Sequence, residues 1–261
     1  GCVDNDKTLP QSTGKSSEII FVVDDLLWQQ SVRDLASSIF EEKIEGLNQQ
    51  ESLFELIQIN NREFKSILKV HKNIVIVALG VKEFYQQNKW ASNQFVAQLN
   101  PHESTDSFFK KLSFLKTKFV TKEIQNTKIQ IKKFSQQKIE KKLLSNFGIN
   151  FLVPNEYRVF NNDSNFFWAN YNPQKSEEIK NIMAFSFVPK SPDLQAEVLF
   201  KTDSIFEKYL RGSKEGSYVR IEPDYLPVYY KNIYRGLWRL ENGFMGGPFI
   251  LKTYSLENRI V

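Results

Sequence analysis

The segment that most restricts the fold of this chain is GLWRLENGFMGGPF, residues 236–249. Asn242 and Gly243 in its middle are a strong signal for a two-residue hairpin loop, because a type I′ turn needs positive φ at both central positions. A turn at these two residues also fixes which positions of the flanking strands lie opposite each other. The segment therefore predicts an antiparallel hairpin of defined register.

Side chains alternate between the two faces of a strand, so the register assigns each residue to a face. The face that includes Trp238 and Phe249 carries no charged residue. On this face the register places Gly247 opposite Trp238. It also places Gly236 opposite Phe249. An aromatic ring can cover the backbone that a glycine leaves bare, so packing alone explains both glycines.

The other face of the hairpin is half polar and predicts a different role. It carries Arg235, Arg239 and Gly246, and packing against an aromatic ring does not explain this glycine. A bare backbone flanked by two arginines can admit an anion, so these three residues are candidate anion contacts. Pro248 lies on the same face and, because it has no N–H, predicts a bulge or an edge strand.

The first half of the chain predicts strands that alternate with helices. A buried strand at residues 19–23 is followed by a helix that begins at Asp24 or Asp25, with apolar side chains at helical spacing. An aspartate in this place is either the N-cap of the helix or a ligand group at the carboxyl end of a strand, and we favour the cap. Further elements are expected as strands at 54–59, 73–79 and 94–99 and a short helix at 62–70.

A long basic segment follows. Residues 104–147 contain no glycine or proline, carry many lysines and keep apolar side chains at helical spacing. This pattern predicts one long helix that bends near Asn126 or two helices that meet there, closed by Gly148 as a C-cap. The lysines indicate either a solvated face or a surface for lipid headgroups or nucleic acid. We favour the solvated face and expect no specific nucleic-acid partner.

The remainder of the chain is mostly β. Short aromatic or branched runs separated by turn residues predict strands at 149–153, 157–160, 166–171 and 182–188, then a helix at 193–210 and strands to the end. The whole pattern predicts an α+β protein with mixed and antiparallel sheets and a long basic helical segment in the middle.

We expect three regions along the chain. Residues 1–17 are polar and predict a flexible tether. Residues 18–148 predict an α+β half that ends in the basic segment, and residues 149–261 predict a β-rich half with one helix. The plan allows two similar α+β halves, although no residue-level repeat is visible.

The start of the chain predicts a lipid anchor. No apolar run approaches the roughly 18 residues that span a bilayer, and the single cysteine is Cys2, which excludes an internal disulfide and a zinc site built on several cysteines. A Gly-Cys pair before a polar tether is typical of a mature bacterial lipoprotein, whose cysteine sulfur carries diacylglycerol. Cys2 is therefore the candidate lipid attachment site. The alternative is that Gly1 and Cys2 carry no lipid.

Residue patterns that carry chemistry are sparse. The chain has two histidines, His71 and His102, without a partner cluster, and no G-x-S-x-G elbow. Glu222 and Asp224 flank a proline and form either an acid pair or an ordinary turn. The sequence therefore predicts no catalytic residue, no metal and no cofactor, and an enzyme is the less favoured class.

Three segments carry a family resemblance. They are YRGLWRLENGFMGGPF (234–249), LPQSTGKSSEIIFVVDDLLW (9–28) and NFFWANY (165–171). They resemble the Bacteroidota lipoprotein family catalogued as domain of unknown function 4837, over nearly all of residues 9–261. The resemblance implies a secreted envelope lipoprotein, assigns no activity, and implies that a further strand and helix follow Val261, so that the β-rich half is cut short.

Together these features predict a cell-envelope lipoprotein, periplasmic or on the outer-membrane surface, that is not an enzyme and binds another protein or a glycan. One alternative is a hydrolase that uses carboxylates such as Asp24, Asp25, Glu222 and Asp224. The other is a binder of polyanions or lipid headgroups that uses the lysine-rich helix. An exposed apolar patch favours the first interpretation, a cleft of carboxylates the second, and a continuous lysine stripe the third.

Overall fold

The computed structural model describes residues 9–101, 104–175 and 178–261. The predicted α+β class is confirmed. The chain divides into two compact units: the first holds the residues up to Ile44 together with Gln50–Thr127, and the second holds Glu45–Gln49 and Lys128–Val261. Cys2 and His102 lie outside the described residues.

The first unit is built on a five-stranded sheet of order β2-β1-β3-β5-β4. Its strands are β1 (Glu18–Val23), β2 (Glu55–Ile59), β3 (Asn73–Val77), β4 (Phe84–Gln87) and β5 (Phe95–Leu99). Only β4 runs antiparallel to its neighbour. The central strands β1 and β3 are buried almost throughout, as expected for parallel strands with both faces covered.

Helices cover this sheet on both faces. They are α1 (Asp25–Leu27), a π-helical turn (Trp28–Val32), α2 (Arg33–Phe40), α3 (Ser66–Lys69) and α4 (Thr105–Lys133). On one face α2 and α4 pack apolar side chains around Phe21 and Phe119, while α3 and Trp90 cover the other. The predicted N-cap is confirmed, since Asp24 accepts the N–H of Leu26. The helix expected at 62–70 forms only over α3.

The basic segment consists of two helices, α4 and α5 (Gln137–Phe147). The predicted meeting point near Asn126 is wrong, because the break lies after Lys133. Tertiary hydrogen bonds fix it there: the backbone N–H of Gln136 donates to Val153, and its side-chain amide donates to Pro154 and Tyr157. The predicted C-cap is confirmed. Gly148 has a φ of 69°, and its backbone N–H donates to the carbonyl oxygen of Leu144.

The second unit holds the remaining strands and one further helix. They are β6 (Arg158–Asn162), β7 (Phe166–Tyr171), β8 (Lys180–Phe185), α6 (Leu194–Tyr209), β9 (Tyr218–Ile221), β10 (Val228–Tyr230), β11 (Ile233–Glu241), β12 (Gly246–Lys252), β13 (Ser255–Leu256) and β14 (Arg259–Ile260). The strand expected at 149–153 is wrong. Val153 is fully buried, but Gln136 rather than a neighbouring strand bonds its carbonyl group.

The hairpin of β11 and β12 has the predicted register, with Trp238 opposite Gly247 and Arg239 opposite Gly246. Its turn is not the expected type I′, because Asn242 has a φ of 58° while Gly243 does not have positive φ. The alternation of apolar residues along both strands therefore sets the register even though the turn differs.

Both predicted aromatic-over-glycine contacts are confirmed. A Cβ atom placed on Gly247 would lie 3.2 Å from the indole ring of Trp238. One placed on Gly236 would lie 2.9 Å from the ring of Phe249. This face packs against α6, since Phe206 of the helix meets Phe249 at a centroid distance of 5.9 Å.

Two expectations about organisation are wrong. The halves are not similar, because the first unit holds a largely parallel sheet and the sheets of the second unit are antiparallel. The tether expected over residues 1–17 does not include residues 10–13. Within the described part of that segment, residues 10–13 are hydrogen-bonded to Val70, Lys72 and Ser92.

Candidate functional site on the arginine face

Strand register brings the predicted anion contacts onto one side of the sheet formed by β9 to β12. Arg235 lies opposite Ile250, Arg239 lies opposite Gly246, and opposed residues share a face. We call this side the arginine face. Its members are Arg220, Val228, Tyr230, Ile233, Arg235, Leu237, Arg239, Gly246, Pro248, Ile250 and Lys252.

The end of the arginine face nearest the hairpin tip is an ion-pair network. Arg239 contacts Glu241 at 3.0 Å and Glu222 at 3.4 Å, and Arg220 lies 3.8 Å from Glu241. The hydrogen bonds that Arg239 donates to the carboxylate of Glu241 raise the pKa of Arg239 above its usual value. Gly246 is exposed beside this network. An anion at Gly246 therefore has to compete with two carboxylates for Arg239, and the anion site stays a prediction.

The other end of the arginine face is apolar around one arginine. Val228, Arg235 and Ile250 form a row across β10, β11 and β12, with neighbouring Cβ atoms about 5 Å apart. Ile250 is 74% exposed, and Tyr230 in the next row is 65% exposed. Arg235 is exposed and has no ion pair within 4.0 Å among the residues that the structure describes. This end presents an unpaired cation framed by aliphatic and aromatic side chains.

Three further exposed apolar side chains belong to the loops of the same sheet. Phe244 at the tip of the β11–β12 hairpin is fully exposed, and its neighbour Met245 is about half exposed. Leu226, in the loop that leads into β10, is 83% exposed. The second unit therefore presents several large apolar side chains to solvent. A single exposed apolar side chain is normal, but several on one sheet and its loops favour an interaction surface.

A loop packs against the backbone of Arg235. The loop is Glu45–Gln49, which belongs to the second unit. Gly46 has a φ of 86°, and a Cβ atom there would lie 2.6 Å from the carbonyl oxygen of Arg235. Only glycine fits at this approach.

The carboxylates proposed for a hydrolase have structural partners within their own units. Asp24 caps α1, and Asp25 accepts a hydrogen bond of 2.9 Å from Gln58. Glu222 pairs with Arg239 and accepts the backbone N–H of Asp224. These contacts account for the side chains of Asp24, Asp25 and Glu222 without a catalytic role.

The lysines of α4 and α5 do not form one continuous stripe. Lys111 pairs with Glu83, Lys116 pairs with Glu42, and Lys122 donates to the carbonyl of Lys72. Burial lowers the pKa of Lys122 to about 8. The exposed lysines without an ion pair within 4.0 Å, among the described residues, include 128, 132, 133, 138 and 141.

The NFFWANY segment contributes rings that are already covered. Trp168 stacks on Phe160 at 4.8 Å, and the guanidinium of Arg158 lies over the same phenylalanine ring. Tyr209 of α6 stacks on Phe166 at 4.1 Å. These rings join α6 to the sheet of β6 to β8, and their faces are used for packing rather than left open for the stacking of a sugar.

Sequence reasoning missed a buried polar cluster in the first unit. His71 is 6% exposed and Asn73 is fully buried, and Nε2 of His71 lies 3.6 Å from a carboxylate oxygen of Glu18. Neither Nε2 of His71 nor Oδ1 of Asn73 has a hydrogen-bond partner among the described residues. Burial lowers the pKa of His71, although the hydrogen bond to the carbonyl oxygen of Asn73 and the nearby carboxylate of Glu18 oppose the shift. Glu18 is distant in sequence from His71 and Asn73, so no spacing pattern could have revealed the cluster.

Within the described part of the chain, no group of three or more histidine, cysteine, aspartate or glutamate side chains is placed to hold a metal ion. None of the helices described combines the length and the apolar character needed to cross a bilayer.

Comparison with known families divides the chain close to the break between α4 and α5. Residues 135–260 match the domain of unknown function DUF4837. This DUF4837 region contains the whole arginine face. Residues 12–137 match a second domain of unknown function, DUF8532, so the expected single match over nearly all of residues 9–261 is confirmed only for the second part. No curated protein and no solved structure matches the chain.

Proposed function

We propose that this protein is a non-enzymatic binding module of a bacterial cell envelope, held at a membrane by lipid on Cys2, and that the arginine face of the DUF4837 region binds another protein. The observation that carries the binding surface is the row of Val228, Arg235 and Ile250, an unpaired arginine between exposed aliphatic side chains. The lipid anchor rests on the Gly-Cys start and on the lipoprotein family that the sequence resembles.

A protein suits this surface better than a glycan does. The centres of protein interfaces are enriched in tyrosine and arginine and contain aliphatic side chains, which is the composition around Arg235. Glycan recognition would use open aromatic faces, whereas Trp168 stacks on Phe160 and Tyr209 stacks on Phe166. A carboxylate of the partner would form an ion pair with Arg235. Part of the predicted anion contact is therefore kept.

Mass spectrometry of the protein from the native membrane fraction tests the anchor. We expect the N-terminal peptide to begin at Cys2 and to carry diacylglycerol on the sulfur. An unmodified thiol on protein recovered from the soluble fraction would contradict this half of the proposal.

Photo-crosslinking in the native host tests the surface. A photoreactive amino acid replaces Ile250 in one strain and Ile67, which is 75% exposed in the first unit, in a control strain. We expect a discrete adduct from position 250 only, and Arg235→Glu in the same strain should abolish it. Equal adducts from both positions, or an adduct unaffected by Arg235→Glu, would contradict the proposal.

A second candidate is electrostatic contact with anionic lipid, favoured by the exposed lysines 128, 132, 133, 138 and 141. We expect the unacylated protein to bind phosphatidylglycerol vesicles at low salt and to release them at high salt, because counterions screen surface charges. Negligible binding at both salt concentrations removes this candidate.

A further inference from the structure

A short strap of chain covers His71. The strap is residues 10–14, near the start of the described part of the chain. Four backbone hydrogen bonds of 2.8–3.1 Å hold it: Ser12 to Ser92, Ser92 to Pro10, Thr13 to Val70 and Lys72 to Thr13. Its residues are small or polar and mostly exposed. Each such bond contributes only about 1 kcal/mol net, so the strap can open without the rest of the unit unfolding.

Gly14 seals the edge of the imidazole ring. A Cβ atom on Gly14 would lie 2.1 Å from Nε2 of His71 and 2.4 Å from Cδ2. The backbone of Gly14, with a φ of 97°, therefore occupies the place from which water would otherwise reach Nε2. A residue with a side chain cannot close here without displacing the ring.

The sealed site suits a neutral imidazole. Nδ1 of His71 lies 3.1 Å from the carbonyl oxygen of Asn73 and 3.3 Å from its backbone nitrogen, so either neutral tautomer satisfies Nδ1. The protonated ring needs acceptors at both nitrogens. Nε2 then faces Glu18 at 3.6 Å, beyond hydrogen-bond distance, and that carboxylate already accepts the N–H of Lys15.

The other charged groups near the ring do not favour a buried cation. They are Lys72 beside His71, and Lys122 and Glu123 from α4, of which Lys122 donates to the carbonyl of Lys72 and Glu123 accepts from Asn73. Glu18 attracts the imidazolium, but the loss of hydration outweighs this attraction. We propose that residues 10–14 are an acid-released strap, closed over neutral His71 and opened when the imidazole gains a proton and must be hydrated.

The direction of the pH effect follows from linkage. The pKa of His71 is lower in the closed state than in the open state, where it is about 6.5. Closure is therefore fully stabilised above about pH 6.5 and is weakened as the pH falls below that value. The pKa of Glu18 is lowered by the backbone N–H of Lys15, so its own contribution is lost only at more acidic pH, near and below about 4.

Amide hydrogen exchange on the full, unacylated chain tests the strap. We expect the protection factors of Ser12, Thr13 and Lys72 to fall by up to roughly eightfold between about pH 7 and about pH 5.5, because only the open state gains the proton. The fall should vanish in His71→Gln. His102→Gln, which removes the only other histidine, should retain it. Flat protection factors, or the same fall in His71→Gln, would overturn the proposal.

A second measurement covers the case in which His71→Gln disturbs folding. The imidazole Cε1–H shift of His71, observed alone in the His102→Gln background, should titrate below pH 6.5 with the strap closed. Gly14→Ala should move this pKa up towards about 6.5, because the strap can no longer close. An unchanged pKa would overturn the proposal. Neither measurement requires lipid on Cys2, so their outcome is independent of the proposed function.

Discussion

Gly46 is the position in the second unit where a side chain is most strictly excluded. Its φ of 86° lies in the left-handed region, and the nearest atom to a built Cβ is backbone, the carbonyl oxygen of Arg235. Gly216 in the same unit has a φ of 74° but open space around it. The two glycines thus separate the cost of backbone conformation from the cost of steric contact.

We expect Gly46→Ala to lower the free energy of unfolding more than Gly216→Ala. Positive φ costs an L-residue about 1–2 kcal/mol, and contact with backbone adds about 1–3 kcal/mol at Gly46. Urea unfolding followed by tryptophan fluorescence measures both variants. Equal losses would mean that the loop Glu45–Gln49 yields to the new methyl group.

Lys122 is a residue whose environment can be read by titration. Burial lowers its pKa to about 8, so one lysine resonance of the reductively ¹³C-methylated protein should titrate near pH 8. Lys122→Arg assigns the resonance by removing it. Because the folded pKa lies below the unfolded one, stability declines as the pH falls from about 10.4 towards about 8 and is then constant. A spectrum in which no lysine resonance titrates near pH 8 would contradict the assigned burial.

At the scale of elements, sequence predicts most where a pattern is long and local. The hairpin register of β11 and β12 follows from alternation over both strands, and the start of α6 follows from Asp193. The strand expected at 149–153 does not form, because a run of apolar and β-branched residues becomes a strand only when a neighbouring strand hydrogen-bonds to it. Here the backbone N–H of Gln136 donates to the carbonyl oxygen of Val153 instead. The break after Lys133 depends on the same tertiary contacts, so local spacing could not locate it.

The N-cap of α6 gives a prediction for that element. Asp193 accepts the N–H of Ala196 at 3.0 Å. Asp193→Ala should lower the free energy of unfolding by about 1 kcal/mol, whereas Asp193→Asn keeps an acceptor oxygen and should stay close to the unsubstituted protein. Urea unfolding measures the difference. If Asn is as damaging as Ala, the charge rather than the cap is what stabilises the helix.

At the scale of the whole molecule, sequence places the candidate residues but not their partners. Alternation puts Arg235 and Arg239 on one face, which the structure bears out in the register. That Arg239 pairs with Glu222 depends on the path of the chain between β9 and β11. Arg235 has no ion pair within 4.0 Å among the described residues. The cluster of Glu18, His71 and Asn73 likewise exists only because β1 and β3 begin side by side.

The free edge of β12 supplies a prediction about association. Thr253 donates to Asn232 and Leu240 donates to Met245, so odd-numbered residues of β12 bond β11 and the even-numbered ones, including Pro248, direct their backbone outward. Pro248→Val adds an N–H to this edge and should increase self-association, measured by sedimentation velocity at rising concentration. Pro192→Val, in an exposed loop, is the control. Identical sedimentation of both variants would show that the edge is protected by something other than Pro248.

Pro248 also affects how closely molecules of this protein can be crowded together without aggregating. Chains crowded side by side collide often, and an intact strand edge would turn each collision into an opportunity for sheets to merge into fibres. One missing N–H in the middle of a seven-residue strand interrupts that growth at its first step. Neighbouring molecules can then stand close together and still remain separate.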